Sequence, residues 1–125
     1  MSTLKILLVD DEEKFVSALA QRLNLRGFEA EWAVSGAEAM AKASRTMFDL
    51  AILDVKMPRL GGVDLKRELG RITPSTRFIF FTGHGSEDEF KVCSAEASCY
   101  LVKPMPIDEL VANIYRVMGL SPKGD

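Results

Sequence analysis

The chain contains 125 residues, the usual length of one domain and enough to bury a substantial core. Hydrophobic residues make up 47% of it and charged residues 27%, a composition that excludes a disordered or fibrous protein. The net charge of −2 leaves no basic excess for a nucleic-acid backbone, so we predict no nucleic-acid binding by this segment. No apolar run approaches the roughly 18 residues that span a bilayer, and the N-terminus lacks a signal-peptide layout. We therefore predict a cytoplasmic protein without a membrane segment.

Five segments have the apolar character of β-strands. We predict strands at residues 5–9, 29–34, 49–54, 77–82 and 99–102. Four of them are apolar enough to be buried on both faces, as the strands of parallel sheets are. Segment 29–34 is more polar, so we expect it at an edge of the sheet.

Helical patterns alternate with these strands. The apolar positions that predict the five helices are, in chain order, Phe15, Leu19 and Leu23; Ala37, Met40 and Ala41; Leu65, Leu69 and Ile72; Phe90, Cys93 and Ala97; and Leu110, Val111, Ile114, Tyr115 and Met118. Ser35 with Glu38 and Ser86 with Glu89 have the spacing of capping boxes, and Pro106 stands near the start of the fifth helix. The fourth helix has the smallest apolar face, so we expect it to be the least securely anchored.

The alternation of strands and helices predicts an α/β fold. Five βα units without an internal repeat or linker are typical of a doubly wound parallel sheet with helices on both faces. In the flavodoxin-like strand order 2-1-3-4-5, the topological switch point lies between the first and third strands. Ligands bind there, at the carboxyl ends of the strands, so we expect a functional site at this edge.

Charged and hydroxyl side chains follow four of the predicted strands. Asp10 and Asp11 end the first strand, Asp54 the third and Thr82 the fourth, and Lys103 follows the fifth. Each has an ordinary alternative role: Asp10 is a suitable helix N-cap, Asp54 could begin a turn, and Lys103 could be a solvated charge. Their joint placement at one edge of the sheet favours a site.

The chemistry of this set suggests a metal and a phosphoryl group. Three carboxylates in one crevice repel one another unless a cation neutralises them, and such oxygen ligands suit Mg²⁺. A lysine and a hydroxyl would stabilise a phosphoryl group during transfer. Asp54, at the switch point, is the best candidate for a nucleophile that forms an acyl phosphate. Glu12 and Glu13 suit the dipole at the start of the first helix.

Four motifs, LLVDDE, LAILDVKMPRLGG, FFTGHG and CYLVKP, resemble in order and spacing the receiver domain of two-component response regulators. The resemblance covers essentially the whole chain, with residues 1–120 as the receiver domain and 121–125 as a tail or the start of a linker. It implies a domain that takes a phosphoryl group from a histidine kinase or phosphotransfer protein and signals to a downstream output domain or target protein. Such a domain is a phosphoacceptor that catalyses at most its own phosphorylation and dephosphorylation.

The resemblance also implies a role for each site residue. Asp54 would accept the phosphoryl group and, with Asp11 and the backbone carbonyl of Lys56, would ligate Mg²⁺. Asp10 would help through water, and Lys103 would pair with the phosphoryl group.

A conformational switch is implied as well. Thr82 would hydrogen-bond the phosphoryl group, and Tyr100 would then turn from exposed to buried, reshaping the face that includes the fourth helix. Gly83 would leave room for phosphate to enter, and the bond between Lys103 and Pro104 would be cis.

The remaining candidate residues suggest little chemistry. Cys93 and Cys99 form no metal-ligand pair or disulfide framework, so we predict buried free thiols. A histidine-based metal site is disfavoured because His84 is the single histidine. The resemblance implies that Lys56 and His84 occupy variable positions beside the pocket, where this protein could set its own lifetime for the phosphorylated state.

Two other hypotheses share the predicted sheet. A flavodoxin-like cofactor binder needs amides and hydroxyls after the first strand, whereas DDEE would repel an anion. A Mg²⁺-dependent phosphohydrolase would need recognition loops or a cap insertion, whereas the predicted connections are short. Bound flavin or turnover of a phosphate ester would favour one of them. The sequence leaves open the cognate kinase, the target, a homodimer, and whether the chain stands alone or belongs to a longer regulator.

Overall fold

The structure, a computed structural model, describes residues 3–83, 87–96 and 99–120. Strands and helices alternate along the described chain: β1 Lys5–Val9, α1 Glu13–Leu25, β2 Glu29–Ala33, α2 Gly36–Ala43, β3 Leu50–Leu53, α3 Gly62–Ile72, β4 Arg77–Thr82, α4 Glu87–Glu96, β5 Cys99–Val102 and α5 Ile107–Met118. This order confirms the predicted five βα units. The predicted Ser86–Glu89 cap, His84, Ala97 and the 121–125 tail lie outside the described residues.

The sheet is parallel throughout, in the order β2-β1-β3-β4-β5, which confirms the predicted doubly wound topology. The polar strand β2 lies at one edge, as predicted. β5 forms the opposite edge, and the prediction that it is buried on both faces is wrong. Leu101 is buried, but Val102 is 42% exposed. Because β5 has only β4 as a neighbour, it is covered less completely than the inner strands.

Two apolar layers cover the faces of the sheet. Successive side chains of a strand point to opposite faces, so neighbouring residues of β1 join different layers. Ile6 packs in the layer that contains Leu23 of α1 and Ile114 of α5. Leu7 packs in the layer that contains Leu65 of α3, with residues of α2 and α4. Since helices cover both faces, the carboxyl ends of the strands are left for the site.

The second helix begins where the capping pattern predicts, but its buried face differs. The Ser35 hydroxyl accepts a hydrogen bond from the amide of Glu38 at 3.1 Å. The buried residues of α2 are Gly36, Ala39 and Ala43, whereas Ala37 and Ala41 of the predicted face are exposed. An alanine-rich helix has little hydrophobic contrast between its faces, so its orientation depends on what it packs against.

Three side chains are less buried than predicted. Ile72, the last residue of α3, is exposed, and Cys99 is only partly buried. Phe90 of α4 is 52% exposed, whereas Cys93 of the same helix is buried as predicted. Neither of these two cysteines forms a disulfide bond. The predicted apolar face of α4 is therefore only partly covered.

Candidate functional site

The backbone ladder continues past the strand ends and brings the predicted site residues together. The amide of Asp54 donates to the carbonyl of Val9 at 2.9 Å. The amide of Lys103 donates to the carbonyl of Thr82 at 2.7 Å. Because parallel strands end at the same edge, these bonds place the residues that follow β1, β3 and β5 around one crevice. The bond between Lys103 and Pro104 is cis, as the resemblance implies.

The three predicted aspartates form a carboxylate cluster. One carboxylate oxygen each from Asp10, Asp11 and Asp54 lies within 4.8 Å of the others. Asp10 is 4% exposed and Asp54 is 7% exposed, whereas Asp11 faces solvent. Negative charge is thus concentrated in a partly dry site, where neighbouring charges interact more strongly than in water.

Asp10 accepts two hydrogen bonds, but it is not the N-cap of α1. One of its carboxylate oxygens accepts a hydrogen bond from the amide of Glu12 at 2.9 Å, which turns the chain into α1. The other accepts from Lys103 Nζ at 2.7 Å. The N-cap position of α1 is itself occupied by Glu12. Helix initiation and site chemistry are therefore both served by one side chain.

Lys103 lies inside the site, not in solvent. Its side chain is 11% exposed, and Nζ also lies 3.6 Å from a carboxylate oxygen of Glu12. The ring centroid of Phe15 is 4.5 Å from Nζ and that of Phe81 is 6.0 Å away. The ammonium group is thus bounded by carboxylates on one side and aromatic rings on another.

Burial, with a further contribution from the negative charge of Asp10, raises the pKa of Asp54 from 3.8 to about 6. The positive charge of Lys103 and a hydrogen bond from the backbone amide of Lys56 act in the opposite direction on this pKa. Desolvation and like charge therefore outweigh the favourable contacts of this carboxylate, so the ionised cluster gains from an added cation.

For Lys103, in contrast, favourable charge interactions outweigh the cost of desolvation. Desolvation would lower the pKa of its ammonium group, but the hydrogen bond with Asp10 and the charges of Asp10, Asp54 and Glu12 outweigh it. The pKa of Lys103 therefore lies above its ordinary value, and the side chain is a permanent cation in this site.

The structure places the other predicted residues around the same crevice. Thr82 is fully buried at the end of β4, and Gly83 follows it, where an added Cβ would lie 4.0 Å from Lys103 Cε. Lys56 lies in the exposed connection after β3, where its amide contacts the Asp54 carboxylate. Tyr100 of β5 is partly buried and packs edge-on against Phe90 of α4, with ring centroids 5.6 Å apart.

Sequence analysis missed three contributors to the site. Glu12 was assigned only to the helix dipole, and Phe15 only to the apolar face of α1. Gly62 closes the connection after β3: a Cβ at this position would lie 2.4 Å from the carbonyl oxygen of Asp54. The paired glycines of the LGG motif were the available signal, because a close backbone approach requires glycine.

The residues present fit a hard divalent cation. Three carboxylates outnumber the one buried ammonium group, and carboxylate oxygens are the ligands that Mg²⁺ prefers. The cavity beside Asp10 and Asp54 has a volume of about 10 Å³, enough for about one water molecule. The geometry therefore suits a small cation at the switch point of a doubly wound sheet.

Comparison with known proteins agrees with this class of site. Residues 6–115 match the family described as the response regulator receiver domain. The chain is 40% identical over 118 residues to the transcriptional regulatory protein CpxR of Klebsiella pneumoniae. The aligned region covers 94% of this chain and 50% of CpxR. The chain spans about half the length of the curated relatives it matches.

Solved structures show the same fold. A CheY-like response regulator receiver domain protein from Methanospirillum hungatei superposes with a TM-score of 0.86 at 29% identity, covering 94% of this chain and 95% of that one. TrrA of Thermotoga maritima, a response regulator protein solved in complex with Mg²⁺-BeF, has a TM-score of 0.81 at 30% identity, covering 92% and 99%.

The chain belongs to the response regulator receiver domain family. It is therefore a signalling domain of the flavodoxin-like fold, as the motifs implied. Helices in the described part of the chain are all too short or too polar to cross a membrane.

Proposed function

We propose that this receiver domain accepts a phosphoryl group on Asp54. The observation that carries the proposal is the position of this nearly buried carboxylate within 4.8 Å of the oxygens of Asp10 and Asp11. Lys103 adds a buried cation beside them. A nucleophile, candidate metal ligands and a phosphate partner therefore meet at one point.

The proposed step is an in-line phosphoryl transfer. A carboxylate oxygen of Asp54 attacks the phosphorus of a phosphohistidine, and the new P–O bond forms as the P–N bond breaks. The released imidazole nitrogen takes a proton from solvent. The product is an aspartyl phosphate, so the carboxylate acts as the nucleophile.

The side chains around Asp54 have distinct tasks in this proposal. Asp10, Asp11 and Asp54, with the carbonyl of Lys56, would hold Mg²⁺. The chemistry that Mg²⁺ supplies when bound is neutralisation of the charge on phosphoryl oxygens. Lys103 pairs with one phosphoryl oxygen, and the Thr82 hydroxyl donates to another.

The wider assignments follow from the family. We propose a histidine kinase or phosphotransfer protein as the donor, and an output domain or target protein as the receiver of the signal. CpxR of Klebsiella pneumoniae is a transcriptional regulatory protein of which this chain matches only 50%, which supports a downstream output. We further propose residues 1–120 as the domain, since α5 ends at Met118, with a cytoplasmic location.

Labelling with a small phosphodonor tests the function. Acetyl phosphate with Mg²⁺ should add one phosphoryl group to the protein, seen by intact mass, and chelation of Mg²⁺ should prevent it. Asp54→Asn should remove the labelling completely. Asp11→Ala should retain the nucleophile but require a much higher Mg²⁺ concentration. Stoichiometric labelling of Asp54→Asn would move the nucleophile elsewhere.

A further inference from the structure

The surroundings of Lys103 contain two aromatic rings that the proposed chemistry does not use. Nζ lies 4.5 Å from the centroid of Phe15 and 6.0 Å from that of Phe81. The two rings contact each other, with centroids 6.2 Å apart and planes tilted by 60°. An ammonium group within about 6 Å of a ring centroid is attracted by the negative face of the ring. Both rings therefore lie within reach of the cation.

Lys103 needs such a contact because its carboxylate partners compete with the proposed phosphoryl group for the ammonium group. Nζ is 2.7 Å from Asp10 and 3.6 Å from Glu12, and neither of these is the proposed phosphoacceptor. A lysine side chain is also flexible and loses rotamer entropy when it is held. An aromatic face attracts the ammonium group but leaves its positive charge intact, whereas a carboxylate neutralises it.

The two rings are held by separate elements of the fold. Phe15 lies in the first turn of α1 and is partly buried, and Phe81 is buried in β4, next to Thr82. Phe15 also lines both the small cavity beside Asp54 and a groove of about 250 Å³ outside it. Leu19 and Phe81 line both spaces as well, so Phe15 is one of three side chains that separate the cavity from the groove.

From this geometry we infer that Phe15, supported by Phe81, is a positioning residue that holds Lys103 Nζ at the mouth of the crevice, ready to pair with the phosphoryl group. The inference rests on the proposed function of Asp54. A purely structural role, in which Phe15 only fills the space between α1 and β4, is the alternative. The two roles differ in whether the effect of Phe15 depends on Lys103.

The positioning role and the purely structural role are distinguished by the rate at which acetyl phosphate labels Asp54 at saturating Mg²⁺. Phe15→Leu should slow labelling by about two- to fivefold, the factor expected for one cation–aromatic contact. Phe15→Tyr keeps the ring and should keep the rate. As a matched control, Phe28→Leu removes a buried aromatic of the same apolar layer and should lower the melting temperature without changing the rate.

A double-mutant cycle completes the test. In a Lys103→Met background, Phe15→Leu should have no further effect on the residual rate. If Phe15→Leu does not unfold cooperatively, Phe15→Met replaces it with the same expectation. Equal labelling rates for wild type and Phe15→Leu would overturn the inference while the proposed function stands. Slower labelling by Phe15→Leu that persists in the Lys103→Met background would overturn it as well. A wild-type protein that is not labelled at all would overturn both.

Discussion

Asp54 is the residue of the site whose ionisation is most opposed by its surroundings. The side chain is nearly buried and faces Asp10, and burial raises its pKa to about 6. A carboxylate whose pKa lies near neutrality in the metal-free state favours binding of a cation, because the cation relieves the cost of ionisation. For the same reason we expect the ionised residue to destabilise the fold.

We predict that Asp54→Asn stabilises the metal-free protein in a pH-dependent way. The folded-state pKa of about 6 lies above the ordinary value of 3.8, so ionisation of Asp54 disfavours the folded state. The favourable contribution of the protonated group is complete below pH 3.8 and is lost as the pH rises through about 6. At pH 8 the variant should gain about 1–3 kcal/mol, the upper value being the full pKa difference.

Urea unfolding in the presence of a chelator, from pH 4 to pH 8, measures this gain. The difference between variant and wild type should grow between pH 4 and pH 7 and then level off. A difference that is constant across the range would show that the substitution acts through packing and not through removal of the charge.

At the scale of elements, the connection between β3 and α3 determines where Asp54 sits. The amide of Gly62 donates to the carbonyl of Val55 at 2.9 Å, so the connection closes back on the end of β3. A Cβ at position 62 would lie 2.4 Å from the Asp54 carbonyl oxygen and 3.0 Å from the Val55 Cα. Since both contacts are with backbone, they cannot be relieved by a side-chain rotation.

Two glycines of α3 should therefore respond in opposite ways to alanine. Gly62→Ala should destabilise the domain by about 1–3 kcal/mol, as overpacking does, and should slow Asp54 labelling because the backbone of Asp54 must shift. Gly70 has a negative φ, and a Cβ added to it would meet no atom within 4 Å. Gly70→Ala should stabilise the domain by up to about 1 kcal/mol, through helix propensity, and leave labelling unchanged. Thermal melts and labelling rates of both variants check these opposite effects. Equal stability for the two variants would contradict the close approach of position 62 to the Asp54 carbonyl.

At the scale of the whole molecule, the site and α4 are connected through two strands. Thr82 ends β4, and its strand neighbour β5 carries Tyr100, which packs edge-on against the exposed Phe90 of α4. α4 buries Cys93 but leaves Phe90 and Val92 more than half exposed. Because these two apolar side chains are not covered, we expect α4 to open at low free energy, so that a small bias at the site can change its population of states.

We predict that a beryllofluoride mimic of the phosphoryl group changes amide exchange in α4, Glu87–Glu96. Thr82 should move toward the mimic and let Tyr100 turn inward, so Thr82→Ala should bind the mimic without transmitting the change. The amides of α2, Gly36–Ala43, should exchange equally in both states and serve as the internal control. Unchanged exchange in α4 of the wild type, with the mimic bound, would mean that the signal leaves by another surface.

The sequence by itself determined the architecture and five of the side chains that line the crevice. Strand and helix periodicities are local properties, so the order of the elements, the polar edge strand β2 and the Ser35 cap were all predictable. Parallel strands place their carboxyl ends together, so the sequence also predicted which side chains meet there, namely Asp10, Asp11, Asp54, Thr82 and Lys103. The motifs then supplied the family, which the match over residues 6–115 confirms.

Only the tertiary structure decided how those side chains are held. The buried face of α2, the partial exposure of Phe90 and the edge position of β5 depend on which neighbours cover each element, and periodicity does not contain that information. Glu12 and Phe15 reach Lys103 from 88 to 91 positions away in the sequence, and Gly62 meets the carbonyl of Asp54 across a loop. These contacts arise because side-chain direction, backbone approach and desolvation are set by the packed chain, not by spacing along it.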